Sequence, residues 1–127
     1  MDTFGTVVTC MDGRIQSCVR RYIKKKTNVD FVDVITLAGP AKVISENSKH
    51  ALIKNVKFRL DTSRKVHFSN FIGVVGHHDC AGVKFDDEKH KKHIIDSAFK
   101  VKEWHPDAEV EALWVNDDFE VEVLSIL

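Results

Sequence analysis

Apolar residues along this chain fall into short β-branched runs that alternate with segments of helical period. Residues 6–10 (Thr-Val-Val-Thr-Cys) have the composition of a buried strand. Ile15, Cys18, Val19, Tyr22 and Ile23 then recur at helical spacing, with Arg20, Arg21 and Lys24 opposite, which predicts an amphipathic helix. Residues 31–37 return to strand composition and stop at the breaker Ala38-Gly39-Pro40. A helical region follows, with Leu52, Ile53, Val56 and Leu60 as its apolar stripe. Residues 71–75 predict a third strand, ended by Gly76. Residues 86–104 are charged but keep Ile94, Ile95, Ala98 and Val101 on one face, so a helix is expected there, closed by Pro106. Residues 110–115 predict a fourth strand. In residues 119–126, Glu120 and Glu122 alternate with apolar positions, as in a half-exposed edge strand.

Strands alternating with helices predict an α/β fold: three layers, α/β/α, around a mostly parallel sheet of four to five strands. No repeat, low-complexity tract or linker interrupts the pattern, so residues 1–127 read as a single domain, long enough for one hydrophobic core. Lys plus Arg and Asp plus Glu both number 19, and that balance removes the electrostatic reason to expect nucleic acid. The Lys24-Lys25-Lys26 run reads as a solvated helix end, where basic side chains suit the dipole. No run approaches the ~20 apolar residues of a membrane span. The three cysteines are an odd number in a chain without a leader pattern, so they read as thiols of a reducing compartment, with the cytoplasm as the default.

In sheets of this kind, ligands bind beyond the carboxyl ends of the strands, where the strand order reverses. Two segments occupy such positions: Cys10-Met11-Asp12-Gly13-Arg14 after the first strand, and Gly76-His77-His78-Asp79-Cys80-Ala81-Gly82 after the third. If those strands are neighbours, Cys10, His77 and Cys80 converge. Two sulfurs and one nitrogen suit zinc, and three protein ligands leave the fourth position open for chemistry. A lone cysteine after a strand is otherwise a small buried hydrophobe, which is how Cys18 reads on its helix. Asp12 and Arg14, two residues apart on a turn, can pair so that the guanidinium orients the carboxylate beside the metal.

The Cys-x-Asp-x-Arg of Cys10, Asp12 and Arg14, followed by the Gly-His-x-x-Cys of Gly76, His77 and Cys80, resembles the β-class carbonic anhydrase signature. The resemblance implies one zinc ion per chain on Cys10, His77 and Cys80, and Asp12 as a gatekeeping carboxylate paired with Arg14. The implied activity is reversible hydration of carbon dioxide to bicarbonate by a zinc-bound hydroxide that the pair orients. In that family the aspartate can also take the fourth zinc position, which releases the arginine. A homodimer or higher homo-oligomer is implied as well. His78, beside the ligand histidine, is a candidate proton shuttle. His90 and His93 read as a solvated helix face, and His50, His67 and His105 carry no signal.

The chain departs from the family pattern in three places. It starts at the first strand, where familiar members carry a helical arm that embraces a partner. The family's Arg-Asn-Ala-Gly segment is replaced by Thr36-Leu37-Ala38-Gly39-Pro40, and the residues after the last ligand are Ala81-Gly82. Two alternatives follow: a zinc hydrolase for carbonyl sulfide or carbon disulfide, and a non-enzymatic zinc-binding regulatory domain.

Overall fold

The computed structural model describes residues 1–46 and 50–127. In chain order the elements are β1 (Phe4–Cys10), α1 (Gln16–Thr27), β2 (Phe31–Leu37), α2 (Pro40–Glu46), α3 (His50–Val66), β3 (Phe71–His77), α4 (Asp87–Trp104), β4 (Glu109–Val115) and β5 (Val121–Ile126). The sheet runs β2-β1-β3-β4-β5. β2, β1, β3 and β4 are mutually parallel, and β5 returns antiparallel against β4. The α/β reading with a mostly parallel sheet therefore holds.

Burial follows position in the sheet. All seven residues of central β3 are buried, as its nearly unbroken apolar run requires of a strand covered on both faces. Edge strands β2 and β5 each keep several residues exposed. One face packs Val8, Ile35, Ile72 and Val74 beneath Ile44 of α2, Val56 and Leu60 of α3, and Ile94, Ala98 and Val101 of α4. The other packs Val7, Phe71, Val75 and Leu113 beneath Ile15, Cys18, Val19 and Ile23. A single helix, α1, thus covers one face and three helices cover the other.

Several local expectations needed tertiary correction. Pro40, read as a stop, also opens α2, because its fixed φ and missing N–H suit the first helical position. Leu52 is 38% exposed and lies off the stripe of Ile53, Val56 and Leu60, one residue being about 100° of helix rotation. Lys26 does not end in water: its amine pairs with the buried carboxylate of Glu111, which also accepts from Tyr22 Oη at 2.7 Å. His90 and His93 do not form a solvated face either. His90 is only 3% exposed and stands edge-on to Trp114, whereas His93 lies 2.5 Å from Ser45 Oγ and stacks on Phe85.

β1 is the position that matters for chemistry. The chain steps from β1 to β2 on one side, then crosses back to lay β3 on the other, so the order reverses between β1 and β3. A crevice opens at their carboxyl ends.

Candidate metal centre

Cys10 is the last residue of β1, and the ladder continues one step further through Met11 N–H to the Leu37 carbonyl at 2.9 Å. The chain then turns. Asp12 Oδ1 accepts the backbone N–H of Arg14 at 2.9 Å, an aspartate-led turn that delivers the chain into α1. From the first turn of α1, Gln16 Nε2 donates to the carbonyls of Cys10 (2.9 Å) and Asp12 (2.7 Å).

The second segment leaves β3 at His77. The backbone N–H of His78 donates to the Val115 carbonyl at 3.0 Å, and Asp79 adopts φ +58°, a left-handed conformation that turns the chain back so that Cys80 faces Cys10. Gly82 and Gly39 let this loop rest on the loop after β2. A Cβ at Gly82 would stand 2.5 Å from the Ala38 carbonyl, and Gly39 needs φ +75°. Gly76 likewise admits α4: a Cβ there would meet Ile94 at 2.5 Å and His90 Nε2 at 3.1 Å. These contacts explain how a helix far along the chain comes to lie behind the site.

Cys10, His77 and Cys80 each bring one ligand atom to within 4.8 Å of the others, and all three residues are buried. The two sulfurs lie 3.8 Å apart. Two thiolates on a tetrahedral zinc at about 2.3 Å would be separated by about 3.8 Å, so the pair already has the required span. His77 Nδ1 sits 2.7 Å from the His78 carbonyl. A carbonyl only accepts, so Nδ1 carries the proton and Nε2 presents its lone pair. Nε2 is buried and has no hydrogen-bond partner among the described residues. An orphaned acceptor beside two sulfurs at zinc spacing fits a soft divalent cation.

The electrostatics agree. Cys10 is pulled down, first by the hydrogen bond from Cys80; burial opposes this, while His77 and the N–H groups of Asp12 and Gly39 add to it. Cys80 is pushed up by that same neighbour and then by burial. Two like charges in one buried site are not both ionised unless a cation joins them. His77 is raised: burial opposes this, but the neighbouring Cys10 sulfur, the His78 carbonyl and the Asp12 carboxylate prevail.

Asp12 and Arg14 form a fork. Nη2 donates to Oδ2 at 2.7 Å and Nε to Oδ1 at 3.1 Å, which holds the Asp12 carboxyl well below the usual carboxylate range. Arg14 also reaches Asp79, through its carbonyl at 3.2 Å and its carboxylate at 3.4 Å. His78 points away from the cluster and pairs with Asp87 Oδ2 at 2.8 Å, a bond that raises it. Gln16, Asp79 and His90 are neighbours of the site that sequence reasoning missed. An amide early in a helix, a loop aspartate and a helix histidine carry no spacing signal of their own.

Two cavities flank the cluster. One of about 110 Å³ lies against His77, between Arg14, Ile15, Val115 and Phe119. The other, about 380 Å³, lies between Cys80, Val83, Phe85 and His90. A larger cavity of about 710 Å³ opens at the opposite end of the sheet, among Phe4, Lys26, Phe68 and Phe71. No group of potential metal ligands lies there among the described residues, so donor atoms rather than volume locate the chemistry.

The open, mostly parallel α/β sheet is the fold of solved β-class carbonic anhydrases. A family model described as "Putative carbonic anhydrase" matches residues 1–125, and the chain belongs to that family as a short, divergent member. Among solved structures it is similar to β-carbonic anhydrase isoform I of the protozoan Trichomonas vaginalis, at 19% identity and TM-score 0.65, over 95% of this chain and 81% of that one. It is also similar to one of two tetrameric β-carbonic anhydrases from the filamentous ascomycete Sordaria macrospora, at 9% identity and TM-score 0.67, over 98% and 82%. No curated protein sequence matches the chain. No helix among the described residues is long and apolar enough to cross a membrane.

Proposed function

We propose that this chain is a zinc-dependent carbonate dehydratase that interconverts carbon dioxide and bicarbonate, its residues 1–127 acting as one zinc-binding domain. Membership of the carbonic anhydrase family supports the reaction. The observation that carries the metal is the orphaned His77 Nε2 facing the sulfurs of Cys10 and Cys80. Those three residues would hold the ion, and zinc bound there lowers the pKa of water toward neutrality and so supplies a nucleophile at physiological pH.

The remaining work falls to the chain's own groups. Asp12 stays ionised because Arg14 donates to both of its oxygens. Oδ2 retains acceptor capacity and can take a hydrogen bond from the attacking oxygen, fixing the direction of its lone pair. Ile15, Val115 and Phe119 give the small cavity beside His77 an apolar side, facing the polar groups of Arg14, Asp79 and Asn116, where a molecule of the size of carbon dioxide would fit. His78, exposed and paired with Asp87, is our candidate for handing a proton on to solvent. The tetrameric assembly named for the Sordaria macrospora enzymes supports a homodimer or higher homo-oligomer here, with exposed strand β2 available for pairing.

Stopped-flow carbon dioxide hydration on protein of verified zinc content, at pH 7 and at pH 8.5, tests the reading. Activity well above buffer and rising with pH is expected. A chain that binds one zinc yet is no faster than buffer would discard the reaction. Release of sulfide from carbonyl sulfide or carbon disulfide would then be measured, since the altered loop after β2 packs directly on the ligand loop.

A further inference from the structure

Gln16 is a side chain beside the site that neither the metal nor the Asp12–Arg14 pair accounts for. Its Nε2 lies 2.9 Å from the Cys10 carbonyl and 2.7 Å from the Asp12 carbonyl. Both partners are acceptors, so the NH2 end of the amide must face them, and both of its protons are used. The two carbonyls belong to the metal-ligand cysteine and to the carboxylate that Arg14 forks. Cys10 ends β1, Met11 N–H makes the last ladder bond one residue on, and α1 does not begin until Gln16, so Asp12 lies in the stretch between the two elements. One amide therefore ties the strand end to the first turn of the helix across the segment that carries both groups.

We propose that Gln16 is a positioning residue: it fixes the backbone of residues 10–12, and thereby the aim of the Asp12 carboxylate relative to the cluster. This rests on the proposed function for its kinetic consequence, but not for its structural one. Gln16 touches neither the cluster donors nor the carboxylate, so it acts only through the main chain. Arg14 reads out the result, because its Nε is seated between Asp12 Oδ1 at 3.1 Å and Oδ2 at 3.3 Å and loses that seat when the carboxylate moves.

The test uses the zinc-loaded full chain and Gln16→Met, which keeps length and helix propensity while removing both donors. The expected result is a kcat lower by about tenfold with KM little changed, the scale on which groups that orient a metal site act. The Arg14 Nε–H resonance should also exchange with water about tenfold faster, because it has lost part of its hydrogen-bonded protection. Unchanged kcat together with unchanged Arg14 exchange, even alongside a lower Tm, would overturn the proposal. If Gln16→Met does not fold, Gln16→Glu replaces it: the two donors give way to acceptors against the same carbonyls, and kcat must fall and Arg14 Nε–H exchange must quicken by at least as much; neither changing overturns the proposal. A wild-type protein without hydration activity would remove the reaction and leave the exchange measurement to decide the role of Gln16.

Discussion

The molecule holds two clusters of polar side chains, at opposite ends of β1. Near its amino end, Thr6 Oγ1 lies 2.6 Å from both Ser63 Oγ and Ser69 Oγ. Ser63 Oγ donates to Asp33 Oδ2 at 2.7 Å, the same carboxylate atom lies 2.6 Å from His67 Nδ1, and Ser69 Oγ donates to the Phe71 carbonyl at 3.0 Å. At the carboxyl end stand Cys10, His77 and Cys80. Both groups are largely buried, and both include a histidine. They differ in closure: the first network partners its own hydroxyls and carboxylate, whereas the second keeps His77 Nε2 without a partner and two sulfurs at zinc spacing. A closed network rigidifies a fold; an open one is arranged for something that arrives. Residue type alone, with Ser, Asp and His in one cluster and Cys and His in the other, would not have ranked them.

Removing a donor from the open cluster should break this contrast most visibly. Cys80→Ser is expected to lose zinc and to lower hydration by more than about a hundredfold, since ligand loss exceeds the 10–100-fold effect of supporting groups; metal content per chain and stopped-flow rates measure it. A substitution that retained both would mean the cluster is not the metal site.

The next effect is on stability. Burial, and then the neighbouring His77, hold His90 down to about 4. Its unfolded value is near 6.5, so the unfolded chain takes up the proton first as the pH falls, and stability should drop between about 6.5 and 4 by at most about 3 kcal/mol. Denaturant midpoints at pH 7 and pH 4.5 should show that loss in the wild type and a smaller one in His90→Gln. Equal losses would place the titration elsewhere.

Asp12→Ala separates holding the metal from using it. Zinc content should stay at the wild-type level while turnover falls by about 10- to 100-fold. Full activity would remove Asp12 from the mechanism. In the closed network, Asp33→Ala leaves the Ser63 hydroxyl short of its acceptor and should cost about 1–2 kcal/mol of stability, read by chemical denaturation, with turnover unchanged. A drop in turnover would mean that the two ends of β1 are coupled. The smallest effect is expected for Asp79→Asn. The Arg14–Asp79 pair is long, at 3.4 Å, and exposed, so turnover should change by less than about threefold.

Legibility varied with how local the determinant is. β2 runs over the same residues that its β-branched composition marks, and Asp86 caps α4 by accepting from Lys89 N–H at 2.8 Å, where the charged helical stretch was expected to begin. The pairing partner of Cys10 was not readable, because whether β3 or another strand lies beside β1 depends on a crossover through α2 and α3. Nor was the environment of His90: its helix surroundings look polar in sequence, and only Gly76, with no side chain to keep α4 away, shows that it packs against β3.

The sequence by itself determined the alternation of strands and helices, the positions where the chain leaves β1 and β3, and the donors available there, since these depend on period, turn residues and residue type over a few neighbours. Tertiary structure decided which donors meet. Strand order set Cys10 and Cys80 at 3.8 Å, the His78 carbonyl left His77 Nε2 free to face them, and the first turn of α1 supplied the amide that holds the loop. Those outcomes depend on residues far apart in the chain arriving together, which no local preference encodes.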